Sequence, residues 1–147
     1  YEDGLPFLLR AQELGRNDEW IWSRIANIYF DLKRFEDAFN AYSKAYKLVK
    51  NSWYICNIGR CLRRLGKYEE AIKKLVQSRK LSLKEGDVVD LEDLELAYCY
   101  AVLGNKEKAE EHMKLALDAL GTYAEEEHLK KQFDEIKEMI NVLSKPS

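Results

Sequence analysis

The chain has 147 residues, with 24 Lys and Arg against 26 Asp and Glu, so its formal net charge is −2 at pH 7. A chain of about 150 residues suits one domain with a sizeable core, and this charge balance argues against a nucleic-acid-wrapping protein and a disordered acidic tail. Two His and three Cys without CxxC spacing leave few metal ligands or catalytic bases. We therefore expect no bound metal, no cofactor and no catalytic residue. We also expect a cytoplasmic protein with reduced thiols and no membrane-spanning segment.

The first half of the chain is predicted to form three helices. Residues 1–15 form one helix, with Pro6 in its first turn, where a missing N–H is tolerated. In residues 20–32 the apolar side chains step by three and four, which is typical of one helix face, and Asp18 precedes it as the N-cap. A partner helix at 35–49 carries small alanines that let two helix backbones approach closely.

The second half is predicted to continue with pairs of helices, at 52–65, 68–84, 87–103 and 106–120. Gly86 ends the second of these and Asp87 caps the third. A terminal helix at 123–143 has an apolar stripe that would shield an otherwise open end of the core.

Three segments of the chain repeat the same residues at fixed offsets. Ala38, Ala71 and Ala109 each follow a glutamate by two positions and are separated by 33 and 38 residues. Ahead of each alanine a second pattern recurs at the same offsets: Trp22-x2-Ile25-Ala26-x2-Tyr29, Ile55-x2-Ile58-Gly59-x2-Leu62 and Asp93-x2-Leu96-Ala97-x2-Tyr100. A recurrence of this length indicates a repeat architecture.

The repeat resembles the tetratricopeptide repeat family, whose pattern is W-x2-L-G-x2-Y and then A-x3-F with a period near 34 residues. Asp93 departs from it, because Trp is usual there. The resemblance implies an all-α, right-handed superhelical solenoid of antiparallel helix pairs with a C-terminal capping helix. The expected single domain, 1–147, divides into the second helix of a truncated repeat (1–18), three repeats (19–50, 51–86, 87–121) and a capping helix with its tail (122–147).

Residues 1–15 resemble the second helix of the following repeat, because Tyr1, Leu8, Ala11 and Leu14 each precede their equivalents by 34 residues. We expect further repeats before Tyr1 in the parent protein. The apolar face of Leu5, Leu8 and Leu9 would then be bare in this chain, which makes a homodimer through this helix a second expectation.

A solenoid of helix pairs has a concave wall built from the first helix of each pair. Polar and aromatic positions on these helices recur beside the core stripe, and the resulting partner-binding residues are Trp20, Arg24, Asn27, Trp53, Asn57, Arg60, Arg63, Arg64, Glu95 and Tyr98. Arginine pairs with carboxylates and tryptophan is a frequent interface anchor, so a partner peptide with an acidic segment is expected. The alternative is that both tryptophans cover gaps between repeats and the arginines form a solvated face.

The predicted function is a non-catalytic protein-protein interaction module that binds a peptide or helical segment of a protein partner. One subclass of the family grips a C-terminal carboxylate with two Asn and three basic residues. Asn27 and Asn57 match its asparagines, but Ser23, Leu91 and Glu95 replace the basic residues, which favours a general peptide binder.

Two other functions stay open as alternatives. One is a self-associating structural solenoid. The other is a helical repeat that binds single-stranded RNA, although such a protein would be strongly basic and no nucleic acid is expected here.

Cys61 and Cys99 are interpreted as buried thiols, Cys56 as partly exposed on the groove side, and His112 as structural.

Overall fold

The computed structural model describes residues 4–16, 18–87, 89 and 91–145. Within those ranges the chain forms α-helices and one short 3-10 helix, at Gly121–Glu125, with no strand. The α-helices are α1 Gly4–Glu13, α2 Glu19–Asp31, α3 Phe35–Leu48, α4 Ser52–Arg64, α5 Tyr68–Glu85, α6 Leu91–Val102, α7 Lys106–Leu120 and α8 Glu127–Ser144. The predicted all-α class is confirmed.

Two predicted helix starts were wrong. The helix predicted from residue 87 begins at Leu91, because Asp87 closes the preceding helix instead: its amide donates to the carbonyl of Ser82 at 2.9 Å. Gly86, with φ of 80°, supplies the left-handed turn that this ending requires. The last helix begins at Glu127, after Glu126 takes an extended conformation that separates it from the 3-10 helix.

Consecutive helices pack in pairs, α2 with α3, α4 with α5 and α6 with α7, and neighbouring pairs meet where α3 packs on α4 and α5 on α6. This arrangement is the expected solenoid. Within the second pair, Gly59 lies so close to α5 that a β-carbon there would be 2.7 Å from Cγ of Leu75. The close approach explains why the smallest residue stands at this position of the repeat.

The capping helix α8 packs on α6 and α7 and covers the C-terminal end of the core. Its buried side chains are Phe133, Ile136 and Ile140, while Leu143 at its end is partly exposed. The predicted capping role is therefore confirmed, with the buried stripe ending at Ile140.

The first helix α1 packs on α2, and its apolar side chains differ from the expectation. Leu5, Leu8 and Leu9 are half-buried against the core rather than bare. Two large apolar side chains of this region are exposed: Phe7 in α1, at 80%, and Leu14, one residue after the end of α1, at 67%. No helix in the described ranges is both long enough and apolar enough to cross a bilayer.

Candidate functional site

Two tryptophans occupy equivalent places in successive repeats and are both half exposed. Trp20 is the second residue of α2 and Trp53 the second residue of α4, and their exposed fractions are 47% and 49%. Trp22, two positions along α2, is buried in the core. Tryptophan is enriched among the residues that dominate protein interfaces, so these two matching, half-exposed rings are candidates for contact with a partner.

Polar side chains of α2 lie on the same helix as the first of these rings. Arg24 and Asn27 are exposed. The side-chain oxygen of Asn27 accepts a hydrogen bond from the hydroxyl of Tyr42, a buried residue whose pKa is raised by its burial. Across the described residues, the side-chain nitrogen of Asn27 has no hydrogen-bond acceptor.

Asn57 on α4 differs from Asn27 because its side chain is buried, and its amide nitrogen and its oxygen are both hydrogen-bonded within the chain. Its amide nitrogen donates to the carbonyl of Trp53 at 2.9 Å, and its oxygen accepts from Arg60 at 3.0 Å. The structure therefore places Asn57 beneath the surface, where it holds Arg60.

The carboxylate of Glu95 on α6 forms ion pairs with two of the predicted arginines. It is 2% exposed, and its two oxygens meet Nη1 of Arg63 at 2.9 Å and Nε of Arg60 at 3.4 Å. The guanidinium of Arg63 also lies over the ring of Tyr98 at 3.6 Å, and that of Arg60 over Phe30 at 4.7 Å. One carboxylate thus partly neutralises two arginines that the sequence suggested were free, and Glu95 is itself covered.

Arg64 is the arginine of this group that remains exposed. Among the residues that the structure describes, no carboxylate lies within ion-pair distance of it. Burial of part of its side chain, followed by the positive charge of Arg63, lowers the pKa of Arg64 below its ordinary value. The positive charge of Arg63 thus adds to the effect of burial at Arg64.

Two further acids on α6, Glu92 and Asp93, are buried and were not predicted as part of the site. Glu92 accepts hydrogen bonds from the hydroxyls of Ser78 and Ser82, at 3.0 and 2.7 Å. Asp93, where the family pattern has Trp, is buried and accepts from Nε of Arg79 at 3.1 Å.

Nδ1 of His112 completes the surroundings of Asp93, since it lies 2.8 Å from Oδ1 of that carboxylate. His112 also stacks on the ring of Tyr100, with centroids 5.5 Å apart. These contacts agree with the structural role expected for His112. The signal available in the sequence was an acidic residue at a position whose equivalents in the other repeats are apolar.

All three cysteines are buried, so the expected partial exposure of Cys56 was wrong. It lies on α4, which packs against both α5 and α6. Burial raises the pKa of Cys56, and raises the pKa of Cys61 and of Cys99 to about 12. In the described ranges, no group of three or more His, Cys, Asp or Glu could hold a metal ion.

Comparisons with known proteins agree with this architecture. Residues 17–84 match the family model described as tetratricopeptide repeat. No curated protein matches the chain in sequence.

Three similar solved structures share the fold at low sequence identity. The type III secretion chaperone SycD of Yersinia enterocolitica, in complex with a peptide of the translocator YopD, has a TM-score of 0.65 and 18% identity over 84% of this chain and 89% of that chain. SycD as an alternative dimer gives 0.68 and 18%, over 90% and 96%. The TPR domain of Arabidopsis OM64 gives 0.68 and 18%, over 84% and 93%.

Proposed function

We propose that this chain, a tetratricopeptide-repeat protein by its family match and its fold, is a non-catalytic interaction module that binds a segment of a partner protein along α2 and α4. The observation that carries the proposal is the pair of half-exposed rings, Trp20 and Trp53, at matching positions of successive repeats. The structural likeness to SycD, a chaperone solved with a peptide of its translocator, supports peptide binding as the mode.

The burial of the predicted residues divides them into two roles. Trp20, Trp53, Arg24, Asn27 and Arg64 are accessible and would contact the partner directly. The remaining predicted residues are covered or bonded within the chain, and would act by holding the wall in shape: Asn57, Arg60, Arg63, Glu95 and Tyr98.

Arg24 and Arg64 are the exposed cations of the proposed surface, and neither has a carboxylate within ion-pair distance in the described ranges. An acidic side chain on the partner would gain a charge-assisted hydrogen bond at either place. The acidic segment therefore stays part of the proposal, with Arg24 and Arg64 as its contacts rather than Arg60. A cytoplasmic location also stays a prediction.

A capture experiment from lysate of the source organism tests the proposal. The parent chain is compared with Trp20→Ala/Trp53→Ala and with a control, Tyr123→Ala/Val142→Ala, which removes exposed apolar side chains from the C-terminal part of the chain. Proteins retained by the parent and the control, but lost by the tryptophan variant, would support binding along α2 and α4. Equal capture by the parent and both variants would contradict it.

The captured partner then allows a quantitative test of the acidic segment. Arg24→Gln/Arg64→Gln should weaken binding of an acidic partner peptide, while Lys130→Gln/Lys137→Gln on α8 removes the same charge and should leave the affinity unchanged. Arg60 is unsuitable for this test, because changing it would disturb the buried Glu95. Fluorescence of the two exposed tryptophans provides the titration signal.

Self-association through α1 is a second candidate, favoured by the exposed side chains of Phe7 and Leu14. Exposed apolar side chains of this size are frequent in protein interfaces. Light scattering after gel filtration should show a concentration-dependent dimer that Phe7→Ser/Leu14→Ser abolishes. A monomer at every concentration would exclude this candidate.

A further inference from the structure

A recess of about 340 Å³ lies where the C-terminal end of α4 meets α6 and the capping helix α8. Arg63 and Arg64 line it from α4, Tyr98 from α6, and Lys131, Gln132 and Glu135 from α8. Arg63, Arg64 and Tyr98 were predicted as partner-binding residues, whereas the contribution of α8 to this surface was not predicted. The recess therefore brings together cations from two parts of the chain that are far apart in sequence.

Charge in the recess is not balanced by its own walls. Arg64 and Lys131 have no carboxylate within ion-pair distance in the ranges described, although Glu135 lies one helical turn after Lys131. Burial lowers the pKa of Arg64 most, and the positive charge of Arg63 lowers it further, while the negative charge of Glu95 opposes this effect. A guanidinium in an electropositive setting gains from an added anion.

Arg63 supplies an independent observation. It is 8% exposed, and its Nη1 is bonded to Glu95, but its buried Nε has no hydrogen-bond acceptor in the described part of the chain. Buried donors are nearly always satisfied, so the guanidinium of Arg63, which lines the recess, is only partly compensated within the chain.

We propose that this recess is a binding site for a small oxyanion, a carboxylate or a phosphate group, held by Arg64 and Lys131 against the wall formed by Arg63. Guanidinium and ammonium groups form their strongest hydrogen bonds with these anions. The side-chain amide of Gln132 is an additional donor at the recess. The site does not depend on the proposed function, because it requires neither tryptophan nor a partner protein.

Titration of the ¹⁵N-labelled chain with inorganic phosphate, and separately with acetate, tests the site by NMR. Phosphate should shift the Nε–Hε signal of Arg63, identified by its loss in Arg63→Lys, and the backbone amides of Lys131 and Gln132, with saturation. Shifts with both probes would indicate that a carboxylate suffices, and shifts with phosphate alone would assign the site to phosphate groups.

Two variants make the test specific. Arg64→Gln/Lys131→Gln should weaken phosphate binding by about tenfold or more, since two charged donors are lost. Lys130→Gln/Lys137→Gln removes the same charge from α8 outside the recess and should keep the affinity of the parent. Circular dichroism checks that both variants are folded, and Arg64→Lys, which keeps the charge, should retain binding.

Equal weakening in both double variants would overturn the proposal, because it would show only general electrostatic attraction. The absence of saturable shifts with either probe would overturn it as well. Because inorganic ions are the probes, a failure to capture a protein partner leaves this outcome unaffected, and the two proposals can fail separately.

Discussion

Replacing Glu95 with glutamine is expected to destabilise the fold by about 3 kcal/mol or more. The substitution removes a buried negative charge and leaves the guanidinium of Arg63 without its partner at 2.9 Å. Breaking a buried ion pair from one side typically costs about 3–5 kcal/mol. The lower end applies here, because Arg60, the second partner, is partly in water and regains hydration.

Urea unfolding followed by far-UV circular dichroism measures this loss as a shift of the midpoint at unchanged slope. In a thermal scan the same loss corresponds to about 6–12 °C for a chain of this size. The matched control is Arg34→Gln, which breaks an exposed pair with Asp37 of similar length, 2.8 Å. Exposed pairs contribute at most about 1 kcal/mol.

A loss for Glu95→Gln no larger than that for Arg34→Gln would show that burial does not strengthen the Glu95 ion pair, because both substitutions break an ion pair of nearly equal length and differ in burial. The double variant Arg63→Met/Glu95→Met adds a second check. It removes the buried charge together with its main partner. Its loss of unfolding free energy should therefore be smaller than the sum of the losses measured for Arg63→Met and Glu95→Met alone.

Gly59→Ala is expected to lower the free energy of unfolding by about 1 kcal/mol. Alanine stabilises a helix by ~1 kcal/mol relative to glycine, but the added β-carbon would overpack against Leu75, and this cost is the larger of the two. An unchanged or raised urea midpoint would contradict the close approach of α4 and α5 at Gly59. The buried thiols should be unreactive towards a thiol reagent at pH 8 and react fully in urea: Cys56, Cys61 and Cys99. Stability should fall as pH rises above 9, since the folded chain keeps thiol protons that the unfolded chain loses. With a pKa raised from 9.0 to about 12, Cys61 and Cys99 would each remove about 1 kcal/mol of stability by pH 10, and Cys61→Ala/Cys99→Ala should flatten the decline measured by urea unfolding.

Helix bounds were predictable where the signal is local. The periodic apolar positions, together with the glycines after α4 and α7, place α3, α4 and α7 within a residue of their observed ends. The start of α6 was missed, because the residues after Gly86 serve the ending of α5 before a new helix begins. A capping aspartate and an aspartate that closes the preceding turn look alike in sequence.

The candidate site was predictable in position and only partly in state. The repeat offset placed Trp20 and Trp53 at equivalent positions, and both are half exposed. The same offset could not show that Arg63 would bond to Glu95, since these residues lie 32 positions apart on different helix pairs. Burial of Cys56 likewise depends on helices α5 and α6, which no local pattern specifies.

The architecture was predictable from the residue pattern alone, because helix periodicity and the recurrence of alanine and glutamate depend on neighbours within one or two turns. The same pattern showed which residues recur on the first helix of each pair. Which charges are free was set by contacts between helices that are distant in sequence. Glu95 neutralises arginines from another pair, and α8 brings Lys131 to Arg64, since packing of distant helices sets both burial and partner. Which charges are buried and which are paired depends on that packing, and the repeat pattern does not specify it.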